Sequence, residues 1–126
     1  MNESIPISIG ELLDKISILE IKQERINSLD KLELINIELN LLLIEKNKLN
    51  NFPDNLYKKL KSINEELWQI EDDIREKEAN KEFDKVFIEL ARSVYFTNDK
   101  RGEVKKEINK HYDFEIQEVK EYKNYE

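Results

Sequence analysis

The chain has 126 residues, 21 Lys and Arg against 28 Asp and Glu, a formal net charge of −7, two glycines, two prolines and no cysteine. That length holds one domain with a real hydrophobic core, and so little Gly and Pro excludes a turn-rich β architecture. Without cysteine there are no disulfides, thiolate metal sites or thiol nucleophiles, and the acidic balance speaks against nucleic-acid binding that depends on neutralising phosphates.

Charged and hydrophobic residues each make up 39% of the chain, and their spacing predicts an all-α fold. The expected architecture is an antiparallel bundle of four long helices in a single domain, residues 1–126, with a tail over 113–126. Ser8 followed by Glu11 has the form of a capping box, and opens a first helix over about 9–28 whose buried face is Ile9, Leu12, Ile16, Leu19 and Ile26. Asp30 and Glu33 can cap a second helix, 31–50, with the seam Leu32, Ile35, Leu39, Leu42 and Leu49. Residues 50–54, with Pro53, break it. A third helix, 55–79, carries Leu56, Leu60, Ile63, Leu67, Ile70 and Ile74 in the same rhythm.

The fourth helix, 83–111, keeps a 4,3,4,3 spacing through Phe83, Phe87, Leu90, Val94, Thr97, Arg101, Val104 and Ile108. Asn98 and Asp99 resemble a cap and Gly102 follows, yet the seam stays in phase across them, which predicts one helix, bent or locally loosened. At the ends, Ile5 and Ile7 flank Pro6 while Phe114 and Ile116 alternate, so the termini can pair as a short β-ribbon. No apolar run nears the ~18 residues of a membrane span, and no basic-then-apolar leader is present. A cytoplasmic protein without membrane or nucleic-acid partners is expected.

Thr97 and Arg101 are the first candidates for a site, because a hydroxyl and a guanidinium in a seam destabilise unless something satisfies them. Arginine is scarce: 17 of the 21 cations are Lys, and only Arg25, Arg75, Arg92 and Arg101 supply a planar bidentate donor. Arg75 shares a face with Trp68, Glu71 and Asp72; Arg92 lies three residues from Glu89. The candidate ligand-binding set is therefore Arg75, Glu89, Arg92, Thr97, Asn98, Asp99 and Arg101, suited to a phosphate or carboxylate. Ion pairs that fix helix register would use the same residues. The stretch Lys100, Arg101, Lys105, Lys106 and Lys110 reads as a solvated basic face. Glu71, Asp72 and Asp73 read as an acidic one, since a Mg²⁺ site needs oxygens from more than one helix. His111, the only histidine, suits a structural role at a helix end. No cofactor or metal motif is present.

The second helix has a further stripe, Leu34, Ile37, Leu41 and Ile44, nearly opposite its seam. With Trp68, Tyr95 and Phe96 it forms the candidate interface of a two-fold homodimer. The alternative is a monomer in which the second helix is central.

Three stretches, ISIGELLDKISILEIKQERI (7–26), ELWQIEDDIR (66–75) and FIELARSVYFTNDKRGEVKKEIN (87–109), together resemble domain-of-unknown-function family 6165. The resemblance implies a bacterial or phage-borne all-α protein, at times associated with cell-surface glycan genes, and carries no activity. It draws attention to Asp14, Lys15, Glu71, Asp72, Arg75, Glu89, Arg92, Thr97, Asn98, Asp99 and Arg101 without giving any of them a role.

Two readings follow. The first is a non-enzymatic, dimeric helical module that binds a protein partner or a small anion. The second is a small all-α enzyme acting on a phosphorylated or carboxylated metabolite, with Arg75, Arg92 and Arg101 as the anion clamp and Glu89 or Asp99 as general base. If Arg101 is only a misfit in the core, replacing it with Leu should raise stability.

Overall fold

Four helices account for most of residues 1–112, the part of the chain described by a computed structural model. They are α1 (Ile9–Arg25), α2 (Leu29–Lys46), α3 (Asp54–Ala79) and α4 (Lys85–His111). Short connections fold α1 and α2 into one helical hairpin and α3 and α4 into another. Helix α1 packs on all three others, whereas α2 approaches only α1 closely.

The helix ends have identifiable causes. Ser8 caps α1 by accepting the Glu11 backbone N–H at 3.1 Å, but the Glu11 carboxylate turns to Lys105 at 2.7 Å, so the reciprocal half of the capping box is not made. α2 begins earlier than expected, because Ser28 caps it instead of Asp30. α1 correspondingly stops at Arg25, where Ile26 turns extended. α3 ends in a Schellman turn: Lys81 takes φ 53°, and the Glu82 N–H reaches back to the Lys77 carbonyl at 2.9 Å. Asp84 then caps α4 through the Phe87 N–H at 3.0 Å, which leaves Phe83 outside the helix.

α4 runs through Asn98 and Gly102 as one helix. Its seam is not buried along its whole length, however. The core joins Leu13, Ile16 and Leu19 of α1, Ile35 and Leu39 of α2, Leu60, Ile63 and Leu67 of α3, and Val104 and Ile108 of α4. Buried residues end at Ile70 on α3 and begin at Thr97 on α4. Beyond them, among the described residues, the α3–α4 hairpin extends alone; Phe87, Leu90 and Val94 are only half-buried and Phe83 is 58% exposed. Among the described residues no strand forms at residues 1–8. The other half of the expected ribbon, Phe114 and Ile116, lies outside the described residues.

At Gly10 the backbone of α1 comes close to that of α4. A Cβ there would sit 2.5 Å from the Lys105 carbonyl oxygen, and the Gly10 N–H donates to the Asn109 side-chain oxygen at 2.7 Å. Replacing a helical Gly by Ala ordinarily stabilises by about 1 kcal/mol. Here Gly10→Ala should instead destabilise by roughly 1–3 kcal/mol, because backbone must move to make room; thermal denaturation of the variant checks the sign.

Candidate functional site

The polar cluster in the core forms along one face of α1. Gly10, Asp14, Ser17 and Ile21 follow a 4,3,4 spacing and all are buried. Three pairs, Gly10 with Asn109, Glu11 with Lys105 and Asp14 with Arg101, climb α1 as they descend α4, so the two helices run antiparallel along this face.

Asp14, 1% exposed, is the centre. One carboxylate oxygen accepts Arg101 Nε at 2.9 Å and Asn64 Nδ2 at 2.9 Å. The other accepts Arg101 Nη2, completing a bidentate pair. Asn64 Nδ2 also reaches Ser17 Oγ at 2.8 Å, and that hydroxyl donates to the Asp14 carbonyl at 2.7 Å. Burial pushes the Asp14 carboxyl up, but hydrogen bonds from Arg101 and Asn64 and the positive charges of Arg101 and Lys105 outweigh it, holding the group below the usual carboxylate range. Such a carboxylate is a poor proton acceptor. The Ser17 hydroxyl is fully buried and engaged on both sides, which suits holding helices together and not attack on a substrate.

Two further links continue along α1. The Tyr57 hydroxyl donates to Glu20, and burial together with that carboxylate raises its pKa. Lys61 Nζ meets Glu24 at 2.6 Å.

The candidate residues read from the sequence occupy different places. Thr97 is 2% exposed, and Arg101 keeps 28% of its side chain exposed, with Nη1 3.5 Å from Asn98. Asp99 is half-buried one turn before Glu103 on α4. Arg92 is exposed, its guanidinium 5.9 Å from the Phe96 ring centre. Nine residues of helix, about 13 Å, separate it from Arg101. Glu89 is exposed near Lys85 at 3.9 Å, and Arg75 is exposed on the far half of α3. Lys105 departs from the expected solvated basic face: it is 8% exposed and paired with Glu11. Trp68 is half-buried with Arg25 over its ring at 5.9 Å, while Leu34, Ile37, Leu41 and Ile44 stand 50–69% exposed. Tyr95 and Phe96 are exposed on α4, a helix that α2 does not adjoin. His111 Nε2 lies 2.6 Å from the Asn51 carbonyl and fastens the α2–α3 loop to the end of α4. Among the described residues, no group of three or more His, Cys, Asp or Glu is placed to hold a metal ion.

Asp14, Ser17, Asn64 and Lys105 were not singled out by the seam of α4. The signal for the first two was present in α1, as two polar residues in phase with a buried stripe. Asn64 has the same phase relation to Leu60 and Leu67.

Arg101 is thus a partner and not a misfit. Arg101→Leu should destabilise by about 3–5 kcal/mol at neutral pH, since it leaves a buried carboxylate unpaired. Asp14→Leu with Arg101→Leu should recover most of that loss, and urea unfolding of the two variants tests the difference. Because the folded pKa of Asp14 is depressed, its stabilisation is complete above about pH 4 and is lost as the pH falls through the lower folded value. Asp14→Asn should flatten that acid limb.

No curated protein and no solved structure gives a significant match to the chain. A model of a family of unknown function matches residues 3–125. With nearly the whole chain inside that match, the protein belongs to the family of unknown function DUF6165.

Proposed function

We propose that the chain is a helical interaction module that works as a homodimer, assembled through the outward face of α2. The observation that carries this reading is the stripe Leu34, Ile37, Leu41 and Ile44, which is 69%, 56%, 50% and 56% exposed although the residues keep helical seam spacing. Helix α2 is apolar on two sides, and α1 covers only one.

Burying a Leu or Ile fully stabilises by about 1.5–3 kcal/mol, so completing the burial of a half-exposed one contributes roughly 1 kcal/mol. Eight such side chains in a dimer give a gross gain of about 6–12 kcal/mol, set against an association cost of ~4 kcal/mol or more. In the upper part of what this leaves, a net gain of about 4–8 kcal/mol, dissociation falls in the micromolar to millimolar range. A reversible, concentration-dependent dimer is the expected behaviour.

The anion-binding and enzymatic readings draw less support. Two of the three guanidinium nitrogens of Arg101 are engaged by Asp14, and Arg75 and Arg92 are exposed on the part of the α3–α4 hairpin beyond the core.

Light scattering over a concentration series should show mass rising from monomer to dimer. Ile37→Glu with Leu41→Glu should hold the protein monomeric with its helical circular dichroism unchanged, since neither residue touches the core. A wild-type chain still monomeric at about 1 mM, the weak end of that range, overturns the proposal.

A further inference from the structure

The charges around the exposed stripe of α2 specify how two copies would meet. Resting on the dimer reading above, we infer that the partner of α2 is the α2 of a second copy running antiparallel, with a two-fold axis passing near Leu39, so that Leu34 faces Ile44 of the partner subunit and Ile37 faces Leu41 of the partner subunit.

The spacing of Leu34, Ile37, Leu41 and Ile44 is that of a coiled-coil seam, the first and third residues at one core position of the heptad and the second and fourth at the other. Extending the same positions by one step in each direction reaches Asp30 at the start of α2 and Lys48 just past its end, both exposed. In a parallel pair each seam residue meets its own copy, and so Asp30 would face Asp30 of the partner subunit and Lys48 would face Lys48 of the partner subunit. The flanking positions would add Glu33 against Glu38 of the partner subunit. All three encounters join like charges.

Reversing one helix changes each of them. Asp30 then faces Lys48 of the partner subunit at both ends of the seam, and Lys31 on the flank lies beside Glu45 of the partner subunit. Glu33 moves opposite Asn47 of the partner subunit. A single like-charge encounter remains, Glu38 with its copy on the axis, at a solvent-exposed flank where screening is strongest. The surface pair that Lys48 makes with Glu45 at 3.0 Å within one chain is exposed and weak enough to rearrange. Exposed ion pairs add little affinity, but their sign selects between two orientations of one apolar seam.

The absence of native cysteine makes the orientation directly measurable. Leu34 and its copy are together in a parallel pair, but about 15 Å apart along the axis of an antiparallel one. Under mild oxidation, Leu34→Cys mixed with Ile44→Cys should give a disulfide-linked mixed dimer, while Leu34→Cys alone stays unlinked. Linking of Leu34→Cys alone, with no mixed product, overturns the antiparallel pairing in favour of a parallel one. A dimer by mass that links in neither experiment overturns α2 as the seam, here and in the reading above, and leaves only a dimer through another face. A monomer at every concentration removes both.

Discussion

A carboxylate with almost no solvent exposure has to find a cation, and Asp14 finds one 87 residues away in Arg101. Much of the arrangement depends on that requirement. It ties α1 to α4 in register, because sliding one helix by a turn, about 5.4 Å, would leave the charge unpaired. Asn64 brings α3 to the same point, and Gly10 allows the backbones to come close enough at the end of the interface. A well-packed apolar replacement could match such a pair in stability, so its contribution is best understood as selection of one arrangement among several that bury the same aliphatic groups. Glu11 with Lys105 and Glu20 with Tyr57 repeat the principle on either side.

The helices were largely legible in the sequence because their periodicity is strong and the break before α3 carries Pro53. The boundaries were less so. The sequence pointed to Asp30 as the cap of α2, and the geometry of the loop gives that place to Ser28. The seam of α4 pointed to Thr97 and Arg101 but could not show where burial stops along it, since that depends on how far α1 and α2 reach. The burial of Asp14 was not legible for a different reason: an acidic residue in a helix of mixed charge has no local mark of burial, and the family resemblance that includes Asp14 gives it no role. Only its phase with Gly10, Ser17 and Ile21, considered together with an arginine far along the chain, makes it a core residue. Arg75 and Arg92 share a residue type with Arg101 but not its environment.

Polar groups therefore sit inside an otherwise mostly aliphatic core, and aliphatic groups also lie outside it. Asp14, Lys105, two amides and three hydroxyls are buried, while Leu and Ile line an outer face of α2. The interior group is satisfied within the fold and leaves little chemistry to offer. That outer face, with Phe83, Val86, Ile88 and Tyr95 on the other hairpin, leaves apolar surface exposed, so the functional reading rests on assembly.

The Gly10 contact also bears on how the fold is reached. Gly10 and Asn109 are 99 residues apart, whereas α3 and α4 meet across a five-residue turn. Closing a long loop carries a larger entropy cost than closing a short one. The α3–α4 hairpin can therefore form early from local contacts, and α1, synthesised first, has to wait for the last turns of α4 before its carboxylate has somewhere to go. During that interval α1 can pack on α2 across their three-residue connection, but the face that carries Asp14 stays open to water, and the helix that organises the finished bundle is joined to the second hairpin late.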